Sequence, residues 1–279
     1  MKVYPFKIPK PENNALIYQE DIELVFYDKL HQHDEIQISF IEKGTGTLVI
    51  GDSVCSYNTG NIFVIGSNLP HAFKSDKSSD DVSVMKTLFF TKTSFGEHFF
   101  DLNELKEIKS FFIKAEQGIF IESKIKEIQQ HFYQLIEASK LERFLLLLKI
   151  LKLITLANTE VLTNFVNPKQ YSDNEGKRLR TIFEYTIENA HQKITLEEIS
   201  AIANMTKNAF CKYFKKRTNK TYFNFLTEVR VENACKYLRD KEEYSIAEIA
   251  YKSGFNNISN FNRKFKAIKK TTPTAFSKA

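Results

Sequence analysis

Apolar residues in the first hundred positions come in short runs with turn residues between them. The runs are IELVFYDKL, EIQISFIEKG, GTLVIGDSVCSYN, NIFVIGS and VSVMKTLFFT. Turn chemistry falls at Glu42–Gly46, Gly51–Asp52, Asn58–Asn61 and Gly66–Pro70. Short, β-branched and aromatic runs so punctuated predict a sandwich or barrel. From residue 101 to 160 the period becomes helical. Leu105, Ile108, Phe111 and Phe112 share one face, and Ile125, Ile128, Phe132, Leu135 and Ile136 share another. The stretch Leu141–Leu156 is apolar on most sides. Such a helix must be covered, either by its own core or by a second copy. Residues 164–176, NFVNPKQYSDNEG, are polar and contain Pro168 and Gly176, so they read as a linker. Everything after them reads as helices joined by short turns.

The last hundred residues contain a repeat. Ile199 answers Ile249 at a spacing of 50, and Phe210, Phe214 and Phe225 answer Phe261, Phe265 and Phe276 at 51. Each copy reads as a helix-turn-helix, spanning about 195–217 and 245–268. Thr195 and Ser245 are N-caps with Glu198 and Glu248 three residues on, the pattern of a capping box. Leu196, Ile199, Ile202 and Ala203 form the inward stripe of one first helix, and small residues at Ala203 and Ala250 permit close crossing. Asn204–Met205 and Gly254–Phe255 make the turns. Thr206, and Asn256 or Asn257, can cap the second helices. A long helix over Tyr222–Arg239 connects the units, with Phe225, Leu226, Val229, Ala234 and Leu238 inward. Its 18 residues span about 27 Å at the standard rise. That suits two helices set in successive major grooves, which repeat every ~34 Å.

Charge sharpens this picture. The net charge of +6 conceals an asymmetry: residues 176–279 carry 21 Lys and Arg against 10 Asp and Glu, the rest 19 against 24. A basic half favours a polyanion through counterion release. The outward positions of the second helices are donor-rich and lack acids: Lys207, Asn208, Cys211, Lys212, Lys215 and Lys216 in one, Asn257, Ser259, Asn260, Asn262, Arg263, Lys264 and Lys266 in the other. Arg and Lys suit guanine edges and phosphates, and Asn suits adenine. An ordinary solvated face would mix Glu among the lysines. With 42% hydrophobic residues in 279, two domains with real cores are expected. No membrane span is expected, since Lys149 and Lys152 break the richest apolar stretch, and MKVYPFKIPK has no apolar leader core. Three scattered cysteines fit reduced thiols in a cytoplasm. No catalytic triad, phosphate loop or carboxylate pair is evident, so neither an enzyme nor a cofactor is expected.

These motifs carry a resemblance. RVENACKYL (Arg230–Leu238), SIAEIAYKSGF (Ser245–Phe255), SNFNRKFK (Ser259–Lys266) and TTPTAF (Thr271–Phe276) resemble the DNA-binding domain of the AraC/XylS family of bacterial regulators. The resemblance implies base contacts from Asn208, Cys211 and Lys212 in the first unit and Ile258, Ser259, Asn262 and Arg263 in the second. It also implies transcriptional activation through RNA polymerase. Asn219 and Lys270 stand where a glycine is usual after each recognition helix; asparagine tolerates the left-handed conformation there, and lysine suits it less.

Residues 1–100 resemble the family's cupin-like sensor barrel through LHQHDEIQISFIEKGTGTLVIG and NTGNIFVIGSNLPHAF. His31, His33, Gln37 and His71 then fall where metal-binding cupins place ligands, with Gln37 in place of a carboxylate. They are expected to line an effector site rather than to hold metal. The expected fold is thus α+β in two domains: a cupin-like barrel (1–100), a helical dimerisation segment (101–163), a linker (164–176) and an all-α DNA-binding domain (177–279). The expected partners are double-stranded DNA, a second copy, RNA polymerase and a small-molecule effector. The alternatives are a cupin metalloenzyme tethered to DNA, or a ligand-free barrel that only dimerises.

Overall fold

The computed structural model describes residues 14–76, 82–163, 173–239 and 244–278. The chain divides into two compact units, one built chiefly from residues 14–163 and the other chiefly from 173–278. Most of the segment expected as linker, residues 164–172, lies outside the described residues.

The first unit has a six-stranded and a three-stranded sheet. Its strands are β1 (Ile17–Glu23), β2 (Ile36–Lys43), β3 (Gly46–Ile50), β4 (Ser53–Tyr57), β5 (Ile62–Ile65), β6 (His71–Ser75), β7 (Ser83–Phe90), β8 (Ile119–Ile121) and β9 (Thr159–Val161). The orders are β1-β7-β2-β5-β8-β9 and β4-β3-β6. Each expected turn separates two strands. Gly44, Gly51, Gly60 and Asn68 hold positive φ in them. At Gly51 even an added Cβ would sit 2.8 Å from the Thr163 hydroxyl.

Period-two alternation sorts the residues of the large sheet onto two faces. One face carries Ile36, Ile38 and Phe40 of β2, Ile62 and Val64 of β5, Leu88 and Phe90 of β7, and Ile119 and Ile121 of β8. All join one buried core with the helices that follow. The opposite face of β2 carries Gln37 and Ser39, and Thr87 of β7 hydrogen-bonds Ser39 at 3.1 Å. The sheet is therefore apolar on the face under the helices, while its inner face mixes Gln37, Ser39 and Thr87 with Met85 and Phe89.

Two sequence expectations are corrected here. The first strand is Ile17–Glu23, not the run from Ile22 to Leu30. Beyond Glu23 the chain leaves the sheet. Phe26 is buried, and its backbone N–H donates to the Ser75 hydroxyl at 3.1 Å, while Leu24, Val25 and Tyr27 stay exposed. Apolar composition alone misplaced that strand. Likewise, 101–163 is not purely helical. It holds α1 (Lys109–Ala115), α2 (Ile125–Gln134) and α3 (Lys140–Leu156), but also β8 and β9, which extend the large sheet beyond β5. Three-residue strands are too short to show a period.

Within α3, Leu146, Leu147, Ile150, Leu151 and Ile154 are buried in the unit's own core. Leu141, Leu145 and Leu156 remain exposed, Leu141 by 68%. The helix is thus covered by its own core along one face only. Ser139 and Glu142 close its N-terminus as a capping box, a motif not anticipated from the sequence.

The second unit is all helix: α4 (Asp173–Asn189), α5 (Leu196–Ile202), α6 (Lys207–Thr218), α7 (Tyr222–Arg239), α8 (Ile246–Lys252), α9 (Ile258–Lys269) and α10 (Pro273–Lys278). α4 takes in residues 173–176, the end of the segment read as linker. Phe183, Phe210, Phe214, Tyr222 and Phe225 cluster around the first helix pair, with Phe183 and Phe225 stacked at 4.6 Å. Val231, Ala234, Cys235 and Leu238, further along α7, join Ile249, Phe255, Phe261 and Phe265 in a second cluster. α7 therefore serves both helix pairs, one at each end.

Candidate nucleic-acid interface and barrel cavity

Local chemistry sets the two helix-turn-helix units. Thr195 accepts from the Glu198 N–H while Glu198 accepts from the Thr195 N–H, and Ser245 and Glu248 do the same. Hydrogen bonding to the Ser245 backbone and side chain holds the Glu248 carboxyl below the usual carboxylate range. Asn204 and Gly254 supply the positive φ of the turns. Thr206 caps α6, and Asn257 rather than Asn256 caps α9. Both second helices end on a left-handed residue, Asn219 at φ 53° and Lys270 at φ 59°. Lys270 adopts that conformation despite its Cβ.

Phe210 and Phe214 anchor α6, and Phe261 and Phe265 anchor α9, all fully buried. That fixes which sides face outward. Lys207, Asn208, Cys211, Lys212 and Lys215 are exposed on α6. Asn257, Ile258, Ser259, Asn262, Arg263 and Lys266 are exposed on or at the start of α9. Neither helix contains an Asp or Glu. One acid does reach the first surface from outside: Glu197 of α5 takes a hydrogen bond from Lys207 at 2.5 Å. On the second, Arg263 donates to Asn260 Oδ1 at 2.9 Å, which orients the guanidinium along the helix.

In the first unit the four residues singled out in the barrel come together. β6 carries His71, β2 carries Gln37, and the segment between β1 and β2 carries His31 and His33. His31 and His71 pair through their backbones at 2.8 and 3.0 Å. Gln37 Oε1 stands 3.1 Å from His33 Nε2 and 3.0 Å from His71 Nε2. The Gln37 amide nitrogen donates to Ser39 at 2.8 Å. Burial is the main force holding the His71 imidazole well below its ordinary value, and the neighbouring His31 and His33 add to it. Burial also lowers His33, against Gln37 and Glu35, which raise it.

His31, Gln37 and His71 open onto a cavity of about 350 Å³. Its far wall was not anticipated: Gln19, Asp21 and Glu23 line it from β1. Their every-second-residue spacing in YQEDIE was the available signal, hidden by the misplaced first strand. Phe26, Phe73 and Phe89 complete an aromatic side. Burial raises the Asp21 carboxyl, as does the charge of Glu23, while Gln19 opposes. Among the described residues, no helix is long and apolar enough to cross a membrane.

The model of an AraC-like ligand binding domain matches residues 15–145, and that of a helix-turn-helix domain matches 199–279. The HTH-type transcriptional regulator YdeC of Bacillus subtilis is 23% identical over 261 residues, covering 90% of this chain and 87% of its own. The HTH-type transcriptional activator RhaR of Mannheimia succiniciproducens is 25% identical over 248 residues, 88% of this chain and 86% of its own. A regulator from the cgkA 5' region of Pseudoalteromonas carrageenovora is 35% identical over 94 residues, 34% of this chain and 55% of its own. A cavity-bearing β unit followed in sequence by paired helix-turn-helix units defines a DNA-binding transcription regulator with a ligand-binding type of sensor domain. The chain belongs to the AraC/XylS family.

Proposed function

We propose that this chain reads a two-part duplex site through α6 and α9 and activates transcription there, under control of a small molecule held in the barrel cavity. The observation that carries the reading is the pair of acid-free, exposed helix faces, each locked by two buried phenylalanines and joined through α7. Lys212, Lys215 and Lys266 supply sequence-independent attraction to phosphate. Asn208, Asn262 and Arg263 supply base discrimination, and Ile258, 44% exposed, offers apolar contact to a thymine methyl. Cys211 and Ser259 complete the reading faces. The exposed leucines of α3 pair two copies. RNA polymerase is the partner an activator contacts.

The test selects duplexes from a random-sequence pool with the full chain, then compares selected and scrambled DNA in mobility shifts. A preference of at least about a thousandfold supports the reading. Equal affinity for both, or no binding at low salt, contradicts it.

A further inference from the structure

We infer that the cavity of the first unit takes an amphipathic organic cation, an amine or guanidine carried on a small apolar or aromatic body. The inference deepens the reading of the barrel as a small-molecule sensor and rests on that reading for its regulatory consequence.

Burial orders the cavity wall by depth. Phe26, Phe73, Met85 and Phe89 are buried at its floor, beside Gln37 and His71. Glu23, Val25 and Tyr27 are exposed and so rim its opening. Asp21 is half-buried, between floor and rim. Alternation along β1 turns Gln19, Asp21 and Glu23 inward, with Asp21 paired to Met85 of β7. The volume of about 350 Å³ is at the small end of the ~300–1,000 Å³ usual for ligand pockets. A ligand that fills it rests an apolar body on the floor and brings a polar head to Asp21 and Glu23.

Charge fixes the sign of that head. Among the described residues, no Lys or Arg lines the cavity, and neither Asp21 nor Glu23 has an ion-pair partner. Burial raises the Asp21 carboxyl and the charge of Glu23 adds to it. A carboxylate partly withdrawn from water beside a like charge gains from a cation and repels an anion.

Hydrogen bonding points the same way. Gln19 Nε2 donates to Asp21 Oδ1 at 2.7 Å, and the Gln37 amide nitrogen donates to Ser39 at 2.8 Å. The side-chain amides of the wall thus turn donors to protein oxygens, and the carboxylates toward the rim offer only acceptors. An ammonium or guanidinium is all donor and no acceptor, the complement of that wall. A sugar brings hydroxyls that the phenyl rings of the floor do not satisfy. Those rings receive an apolar body instead, and a ring face attracts a cation within about 6 Å of its centre.

The experiment is calorimetric titration of the full chain near neutral pH with phenethylamine, hexylamine, the neutral phenethyl alcohol, the anion phenylacetate, and glucose. The expected result is one equivalent of amine per chain. Phenethylamine should bind at least about tenfold tighter than phenethyl alcohol, the worth of one hydrogen bond to a charged group. Phenylacetate and glucose should not be taken up. Asp21→Asn keeps the side-chain shape and should erase the preference for the amine, moving the alcohol far less. Glu23→Gln should weaken the amine by a smaller factor, because water screens the exposed rim. Circular dichroism checks the fold of each variant. Should Asp21→Asn unfold, Glu23→Gln carries the comparison, and an amine affinity it leaves unmoved then overturns the inference. Refusal of both amines by the wild-type chain also overturns it. So does phenethyl alcohol, phenylacetate or glucose binding as tightly as the amine, or an amine preference that survives a folded Asp21→Asn/Glu23→Gln double variant. Affinity for the selected duplex is then read with and without phenethylamine. Amine bound with DNA affinity unmoved supports the ligand class and discards its control of DNA binding. Amines refused by a chain that still prefers the selected duplex overturn the ligand class alone and leave the DNA reading standing.

Discussion

Arg230, midway along α7, donates from Nε to the carbonyl oxygen of Ala190 at 2.8 Å, just past the end of α4. Its Nη2 reaches the Gln192 carbonyl at 2.7 Å. The turn of the second helix-turn-helix meets the same point. Gly254 has φ +90°, and a Cβ there would sit 2.3 Å from the Ala190 oxygen and 2.7 Å from Arg230 Nε. One joint thus ties α4, the connecting helix and the second unit together. Gly254→Ala is expected to cost about 1–3 kcal/mol from backbone strain, with the clash added on top. Gly96, at φ +115° with nothing within 4 Å of an added Cβ, is the control and should cost less. Thermal melts of the two variants decide it. Selected DNA with altered spacing between its two halves then reports whether the joint sets the separation of α6 and α9. Unchanged spacing preference in a folded Arg230→Ala variant would argue against that.

Arg263→Ala should weaken binding to selected DNA by about 1–3 kcal/mol and relax one position of the site. Binding to scrambled DNA should change far less. Lys215→Ala should weaken both alike and reduce the slope of log affinity against log salt by about one. Mobility shifts over a salt series separate the two roles. Equal losses on both DNAs for Arg263→Ala would reassign it to the phosphate backbone.

The capping boxes make a graded prediction. Ser245→Ala removes the acceptor for the Glu248 N–H and should cost about 1 kcal/mol. Glu248 titrates below the usual carboxylate range in the folded chain. The unfolded chain therefore binds that proton first as pH falls. The contribution of Glu248 is complete above the ordinary glutamate value near 4.3 and disappears as pH falls through its lower folded value. Glu248→Gln should flatten that acid-side decline in melts taken between pH 6 and 3, and an unchanged curve would count against the box.

The helical half was legible almost residue by residue because its signals are local. Caps, turns and the i, i+4 phenylalanine pairs each lie within one or two helical turns. Tyr222–Arg239 appears with those bounds, and the outward residues named on α6 and α9 are exposed save Lys264, which is half-buried. The barrel was legible in outline only. Its turns were marked by Gly and Asn, but β8 and β9 exist because β5 offers an edge far away in sequence, which no window of ten residues records. The cavity wall of Gln19, Asp21 and Glu23 was lost for a related reason. Those residues point inward only once β1 pairs with β7. The histidine cluster was found by motif, yet the contacts that place its rings and Gln37 come only from strands and loops that the fold brings together.

On α3, neighbouring leucines should behave oppositely. Leu147 is fully buried in the unit's apolar core, so Leu147→Ala should cost about 2–5 kcal/mol. Leu145, 48% exposed two residues earlier, should change the melting free energy by no more than about 0.5 kcal/mol as alanine. Its neighbours Leu141 and Leu156 are exposed as well, an apolar set that water does not favour and that the chain's own core leaves uncovered. If two copies meet there, Leu145→Asp should convert a dimer to a folded monomer, since it places a charge in the pairing face and leaves the core of each chain intact. Sedimentation at several concentrations reads the mass, and far-ultraviolet circular dichroism confirms the fold. A wild-type chain that sediments as a monomer, or a Leu145→Asp chain that remains dimeric, would move the pairing surface away from α3.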